Sequence, residues 1–332
     1  MSISACMMVR DEEHLLARCL ESFQGAWDEL IVVDTGSTDA TVSIAESFGA
    51  YVVRCDACND AEGRIRDFSL ARNTAIEAAA GDWVLWMDAD DVLLPGGPAR
   101  FRAHAAREDA AAVQVTLRWN GDTWFQTRLF RRLPGHRFVG RIHEYPHVVG
   151  PIVTAREIVV EHRPDKRGKE GSVDRNLRMC ALEVQDDPEN LRAVFYYGNA
   201  LRLAGRNAEA VVQYESYLAR GGNFHCERYM AAHFIACCRI AERDWRAAVR
   251  AGLEALSIDP RYAETHCLIA DAYGELRDYA FAAQWYQSAL ACGSPPPDAA
   301  LFVDRSRYGP YPEAGLRICR EQLAAGVRVE RG

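Results

Sequence analysis

Residues 2–9, SISACMMV, form a short apolar run, after which Leu15, Leu16, Cys19, Leu20 and Phe23 recur at the spacing of one helical face. The order is strand, then helix. The run LIVV at 30–33 is again continuously apolar and ends in Asp34-Thr-Gly-Ser-Thr-Asp39, and Val42, Ile44, Ala45 and Phe48 mark a second helix before the strand-like YVV at 51–53. A third helix is expected over 67–80, followed by the apolar run WVLWM at 83–87, which enters Asp88-Ala-Asp90-Asp91. Such alternation predicts a mostly parallel sheet wrapped by helices, with ligands bound beyond the carboxyl ends of the strands. Asp34 and the Asp88 cluster both stand at such ends.

Beyond residue 110 the pattern changes to short strand-like pieces, AAVQVTL, TWFQTRLF, RFVG and EIVVEH, without long helices between them, which predicts an antiparallel half-sheet. The polar stretch DKRGKEG from Asp165 reads as a linker with a boundary at 165–169, giving an α/β domain over 1–167 and an all-α domain over 168–332. The second part repeats itself. Pairs at Asn207 and Ala210, Trp245 and Ala248, and Tyr279 and Ala282 put the anchor alanines 38 and 34 residues apart, the second spacing being the tetratricopeptide period. Twelve positions before each anchor stand the small residues Gly198, Ala236 and Ala270, where paired helices approach closely, and Pro260 closes the second repeat. About three repeats and a C-terminal capping segment fill 188–325.

With 332 residues, 49% hydrophobic and 26% charged, the chain can bury two cores of ordinary size. A net charge of −8 offers no basic face to a polyanion, which argues against nucleic acid as a primary partner. No run reaches the roughly 18 apolar residues of a membrane span, and MSISACMMVRDEE turns acidic before a signal-type stretch is complete, so a cytoplasmic location is expected. The eleven cysteines are scattered, several at helix-core positions, as reduced thiols are. Cys55 and Cys58 have a metal-motif spacing, yet no second pair follows at zinc-finger distance.

Asp88 and Asp90 project to the same side of an extended chain and can share one hard divalent cation, Mn2+ or Mg2+, which keeps positions open for phosphate oxygens. A cation so placed stabilises negative charge growing on a departing diphosphate. Four segments in order, MMVRDEEHLLARCLES, ELIVVDTGSTDAT, RDFSLARNTAIEAAAGDWVLWMDADD and RLFRRLPGHRFVGRIHEYP, resemble the family-2 glycosyltransferases of GT-A fold. The junction EHRPDKRGKEGSVDRNLRM and the helices after it are similar to the bacterial branch that joins this domain to tetratricopeptide repeats.

The resemblance implies an inverting transferase that uses a UDP-sugar and a divalent cation. It matches Asp34 to the aspartate on the uracil-ribose side of the donor and Asp39 to the acid closing that motif; Asp39 is equally placed to cap the helix beginning near Ala40. Arg72 matches an arginine facing the donor diphosphate, against a plain salt bridge as the alternative, and Asp67 heads the same segment, with helix capping as its alternative. Asp88 and Asp90 match the metal and donor motif, Asp90 as the direct ligand, and Asp91 stands where a glutamate usually follows. Glu144 is the candidate base, or else a structural partner of Arg141 or Arg137, while His143 and His162 are further candidates for the metal or a phosphate. The repeats offer a groove for a peptide or protein acceptor. Two competing readings are a nucleotidyltransferase, which needs a glycine-rich basic loop where this chain has MMVRDEEHLL, and a scaffold whose first domain is a relic.

Overall fold

The computed structural model describes residues 1–165, 171–222, 224–296 and 303–326, and the chain divides into two compact units, 1–170 and 171–332. The expected boundary at 167 and 168, and the expected linker beyond Asp165, lie outside the described residues.

The first unit runs β1 (Ile3–Val9), α1 (Leu16–Phe23), β2 (Glu29–Asp34), α2 (Thr41–Ser47), β3 (Tyr51–Arg54), α3 (Phe68–Ala78), β4 (Trp83–Met87), β5 (Asp91–Leu93), α4 (Gly97–Ala105), β6 (Ala112–Trp119), β7 (Asp122–Arg131), β8 (Arg137–Val139), β9 (Tyr145–His147) and β10 (Ile152–His162). Eight strands make one sheet in the order β3-β2-β1-β4-β7-β6-β10-β5, and β8 and β9 form a separate ribbon. The apolar run of β4 divides by the period of two: Trp83, Leu85 and Met87 join the core under α1 and α4, while Val84 and Trp86 join the opposite core with Ala71 and Ala75 of α3. Both faces are covered, so a central strand reads as continuously apolar.

The four strands β3, β2, β1 and β4 are parallel, as the alternation predicts. The second half departs from the expected antiparallel half-sheet. β7 is antiparallel to both β4 and β6, but β10 lies parallel to β6 and the short β5 antiparallel to β10. The reason is that the excursion through β8 and β9 separates β7 from β10, which lets the chain re-enter the sheet from its starting side. As a consequence β1, β2, β3, β4, β6 and β10 all end at one edge. This is a GT-A-type α/β unit.

The second unit consists of α5 (Ser172–Asp186), α6 (Leu191–Leu203), α7 (Asn207–Ala219), α8 (His225–Ala241), α9 (Trp245–Ile258), α10 (Ala263–Glu275), α11 (Tyr279–Ala291) and α12 (Pro310–Ala324). The anchors Asn207, Trp245 and Tyr279 open α7, α9 and α11, and the turn before each holds a left-handed residue two positions earlier, Gly205, Arg243 or Arg277. Ala210, Ala248 and Ala282, with Ala236 and Ala270, are fully buried, and the helices pair as α6 with α7, α8 with α9 and α10 with α11. These are tetratricopeptide-like repeats. Among the described residues no helix is long and apolar enough to cross a membrane.

At Gly198 a Cβ would stand 2.8 Å from Tyr214 Cε1, so α6 and α7 approach as closely as they do only because the side chain is missing. Gly198→Leu is expected to destabilise the helical unit by about 1–3 kcal/mol through overpacking, read as a lowered urea midpoint of the helical circular dichroism signal.

Candidate functional site

Asp34 ends β2 and is 2% exposed, and its carboxylate accepts the backbone N–H groups of Ser37 at 2.9 Å and Gly36 at 3.3 Å. The half-exposed Arg54 donates to it at 3.1 Å. The glycine and hydroxyl residues after the strand thus wrap their own turn around this acid. Asp39 accepts the N–H of Thr41 at 2.9 Å and of Glu13 at 3.1 Å, tying the loop before α1 to the start of α2. Burial acts to raise its pKa, but these hydrogen bonds outweigh it and hold the acid below the usual range. Asp67 caps α3 through the Leu70 N–H at 2.9 Å and has Arg141 at 3.7 Å.

The Asp88–Asp91 segment is one tight turn between β4 and β5, closed by the Asp91 N–H on the Asp88 carbonyl at 3.0 Å. Asp91 is fully buried. One of its oxygens accepts the Asp88 N–H and Arg128 Nη2, each at 3.0 Å, while the other lies 3.3 Å from His162 Nδ1. Asp88 accepts Arg72 Nη2 at 2.8 Å and Arg128 Nη1 at 3.3 Å, and Arg72 Nε donates to Glu144 at 2.7 Å. Arg72 and Arg128 both rest on the Trp86 ring, 4.5 and 3.7 Å from its centroid. Two buried guanidiniums therefore join three carboxylates, and Glu144 is partnered by Arg72 of α3.

The loop carrying Glu144 is fastened to α3. Asn73 exchanges hydrogen bonds with the backbone of Phe138 at 3.0 and 2.8 Å, and the Phe68 N–H donates to the Arg141 carbonyl at 2.9 Å. Arg72 is thereby held against Glu144 and Asp88 together. Its pKa is raised because the two carboxylates outweigh the burial that alone would lower it.

Asp90 behaves differently. It has no guanidinium partner among the described residues; its neighbour is His162 Nδ1 at 3.4 Å. Burial, and after it the charge of Asp88, pushes its pKa up to about 6, whereas burial of Asp88 is outweighed by Arg72 and Arg128 and its carboxyl sits well below the usual range. His162 is raised because the hydrogen bond to Asp91 and the charges of Asp90, Asp91 and Asp88 exceed the opposing burial. Ligand atoms of Asp90, Asp91 and His162 lie within 4.8 Å of one another, a donor set of oxygens and one imidazole that suits a divalent cation. The structure thus brings Asp90 together with Asp91 and His162, and gives Asp88 to the arginines. His143, in a left-handed conformation with φ of 53°, is outside that group.

Arg128 and the buried role of Asp91 were missed in the sequence. The available signal for Arg128 was an arginine just ahead of the apolar pair Leu129-Phe130 in a strand whose end is buried. Removing Arg128 leaves Asp91 buried without its cation, so Arg128→Ala is expected to destabilise the first unit by roughly 3–5 kcal/mol, seen as a lower thermal midpoint in the near-ultraviolet signal of its tryptophans.

Residues 4–156 match Glycosyl transferase family 2. A TPR repeat-containing protein of Synechococcus elongatus is 42% identical over 146 residues, 43% of this chain and 34% of that protein. The SPbeta prophage-derived glycosyltransferase SunS of Bacillus subtilis is 26% identical over 256 residues, 72% of this chain and 58% of that one. The chain therefore spans about a third to somewhat over half of the length of these relatives. Among solved structures, S. aureus TarS aligns with a TM-score of 0.41 and 14% identity over 81% of this chain and 55% of its own. The amino-terminal unit of this chain carries a glycosyl transferase family 2 domain, and a tetratricopeptide-like helical unit follows it.

Proposed function

We propose that the chain is an inverting glycosyltransferase that moves a sugar from a uridine-diphosphate donor to an acceptor with the help of Mn2+ or Mg2+. One observation carries this reading: of the four carboxylates gathered at the β4 end, Asp90 is the one without an arginine partner among the described residues, and it faces His162 across 3.4 Å. A buried acid so placed calls for positive charge from elsewhere. A cation bound by Asp90 and His162, with Asp91 behind them, supplies a Lewis acid for the charge that develops on the leaving diphosphate.

The chain's own residues do the rest. Asp34 and the turn it organises present acceptors and N–H groups to a nucleoside at the end of β2. Asp39 and Asp67 serve that end of the site by fixing the entries of α2 and α3. Arg72 orients Asp88 and Glu144 rather than reaching outward, since it is 8% exposed and committed to both acids. Glu144 shares one oxygen with Arg72 and uses the other to take the acceptor's proton as the nucleophile attacks opposite the leaving group. The helical unit recruits the acceptor as an extended peptide or protein segment.

Calorimetric titration of UDP in the presence of Mn2+ tests the donor site. Binding that disappears with EDTA and in Asp90→Asn supports it, and absence of binding under every condition sinks it. The pH dependence has a definite sign. Asp90 is neutral below about 6 and charged above it, and His162, raised from its ordinary value, must also lose its proton to bind a cation, so Mn2+ affinity is expected to fall by at least about tenfold per pH unit below about 6. In the metal-free protein the raised pKa makes Asp90 a group whose stability contribution is lost as pH rises through about 6. Mn2+ is therefore expected to raise the thermal midpoint more at pH 8 than at pH 5.

A further inference from the structure

The edge where six strands end carries its polar and aromatic side chains in a definite order. Asp34 stands at the end of β2, the Asp88–Asp91 turn after β4, Trp119 at the end of β6 and His162 at the end of β10. β1 lies between β2 and β4, and β7 between β4 and β6, so with about 4.8 Å per strand the turn is ~10 Å from Asp34 on one side and ~10 Å from Trp119 on the other. A ligand whose charged middle sits at the turn and whose one end lies at Asp34 has its other end near Trp119.

That end of the line is a built site. An open depression of about 620 Å³ is lined by Arg118, Trp119, Asn120, Glu161, His162 and Arg163, so His162 belongs both to it and to the Asp90 group. The Trp119 side chain is 41% exposed and meets the His162 ring edge-on, with centroids 6.2 Å apart at 82°. Asn120 and Gly121, with φ of 48° and 87°, are the two left-handed residues of the tight turn that joins paired Trp119 and Asp122, which fixes the indole at the tip of a stiff hairpin. Arg118 and Glu161, register partners one residue before Trp119 and His162, lie on the other face of the same strand ends, where Glu161 pairs with the half-exposed Arg163 at 2.5 Å. An exposed, immobilised aromatic face with polar hydrogen-bonding groups at its rim suits a pyranose ring, which has an apolar C–H face and a girdle of hydroxyls.

We propose that this depression receives the transferred sugar of the donor, stacked on Trp119, with its hydroxyls met by Asn120 at the hairpin tip and by His162 on the same face. The assignment rests on the UDP-sugar reading above and adds to it the side chains that select the hexose. The nucleoside and the diphosphate depend on Asp34 and the Asp90 group; the sugar depends on Trp119.

The test is calorimetry with Mn2+ on the full chain, using UDP, UDP-glucose, UDP-galactose and UDP-N-acetylglucosamine against the parent, Trp119→Ala and Trp119→Phe. Trp119 is half exposed, so neither variant threatens the fold. The expected result is UDP affinity unchanged within about twofold in both variants, the best UDP-hexose weakened about tenfold in Trp119→Ala, and most of that loss restored in Trp119→Phe. If Trp119→Ala weakens UDP and UDP-hexose alike, or neither, the sugar subsite is overturned while the donor reading stands. A parent that binds UDP but no UDP-hexose overturns it as well. A parent that binds no UDP overturns the donor reading and the subsite together.

Discussion

Two arginines set between three carboxylates under the β4–β5 turn are the constraint on which the first unit depends. Arg128 is fixed by Asp88 and Asp91 and lies on Trp86, and Arg72 is fixed by Asp88 and Glu144 and lies on the same ring. Charges at this depth are tolerated only in mutually satisfied sets, because desolvation of any one alone exceeds what water-screened attraction returns. The set has one consequence for chemistry. By pairing Asp88, Asp91 and Glu144 with guanidiniums it leaves Asp90, among the described residues, as the acid of the cluster without one.

The same network joins parts of the chain that lie far apart in sequence. Arg72 comes from a helix on one face of the sheet, Arg128 from an antiparallel strand, Glu144 from the loop between the two strands of the small ribbon and His162 from the last strand. Hydrogen bonds from Asn73 to Phe138 hold the Glu144 loop on α3, and the β5–β10 pairing sets Asp91 opposite His162. Site and sheet are therefore one object: the register of β10 against β5 decides whether His162 meets the acidic turn, since a slip of one residue would turn it to the other face.

The helical unit owes its order to a different device. Each of the three turns before α7, α9 and α11 holds a left-handed residue two positions ahead of the helix, and small residues stand where paired helices cross. Glycine takes the left-handed position in the first turn and arginine in the next two, so the conformation is kept by the repeat geometry and not by glycine alone. A Cβ at Gly252 would likewise fall 2.7 Å from Ile269, which joins the second helix of one repeat to the first helix of the next.

By itself the sequence determined the order of elements, because period-two and period-3.6 patterns are local and the apolar runs of β1, β2 and β4 are bounded by turn residues. It also determined the repeats, since the 38 and 34 residue spacings are visible without a fold. It marked Asp34, Asp88 and Asp90 at strand ends and Glu144 and His162 as candidates. Only the tertiary structure decided that β10 runs parallel to β6, because strand pairing between distant segments leaves no local signature. Only it decided which acid goes with which base: Glu144 with Arg72, Asp88 with two arginines, Asp91 buried between Arg128 and His162, and Asp90 left over. Electrostatic partnership depends on distances of a few ångströms between residues tens of positions apart, and a linear pattern of charges does not contain those distances.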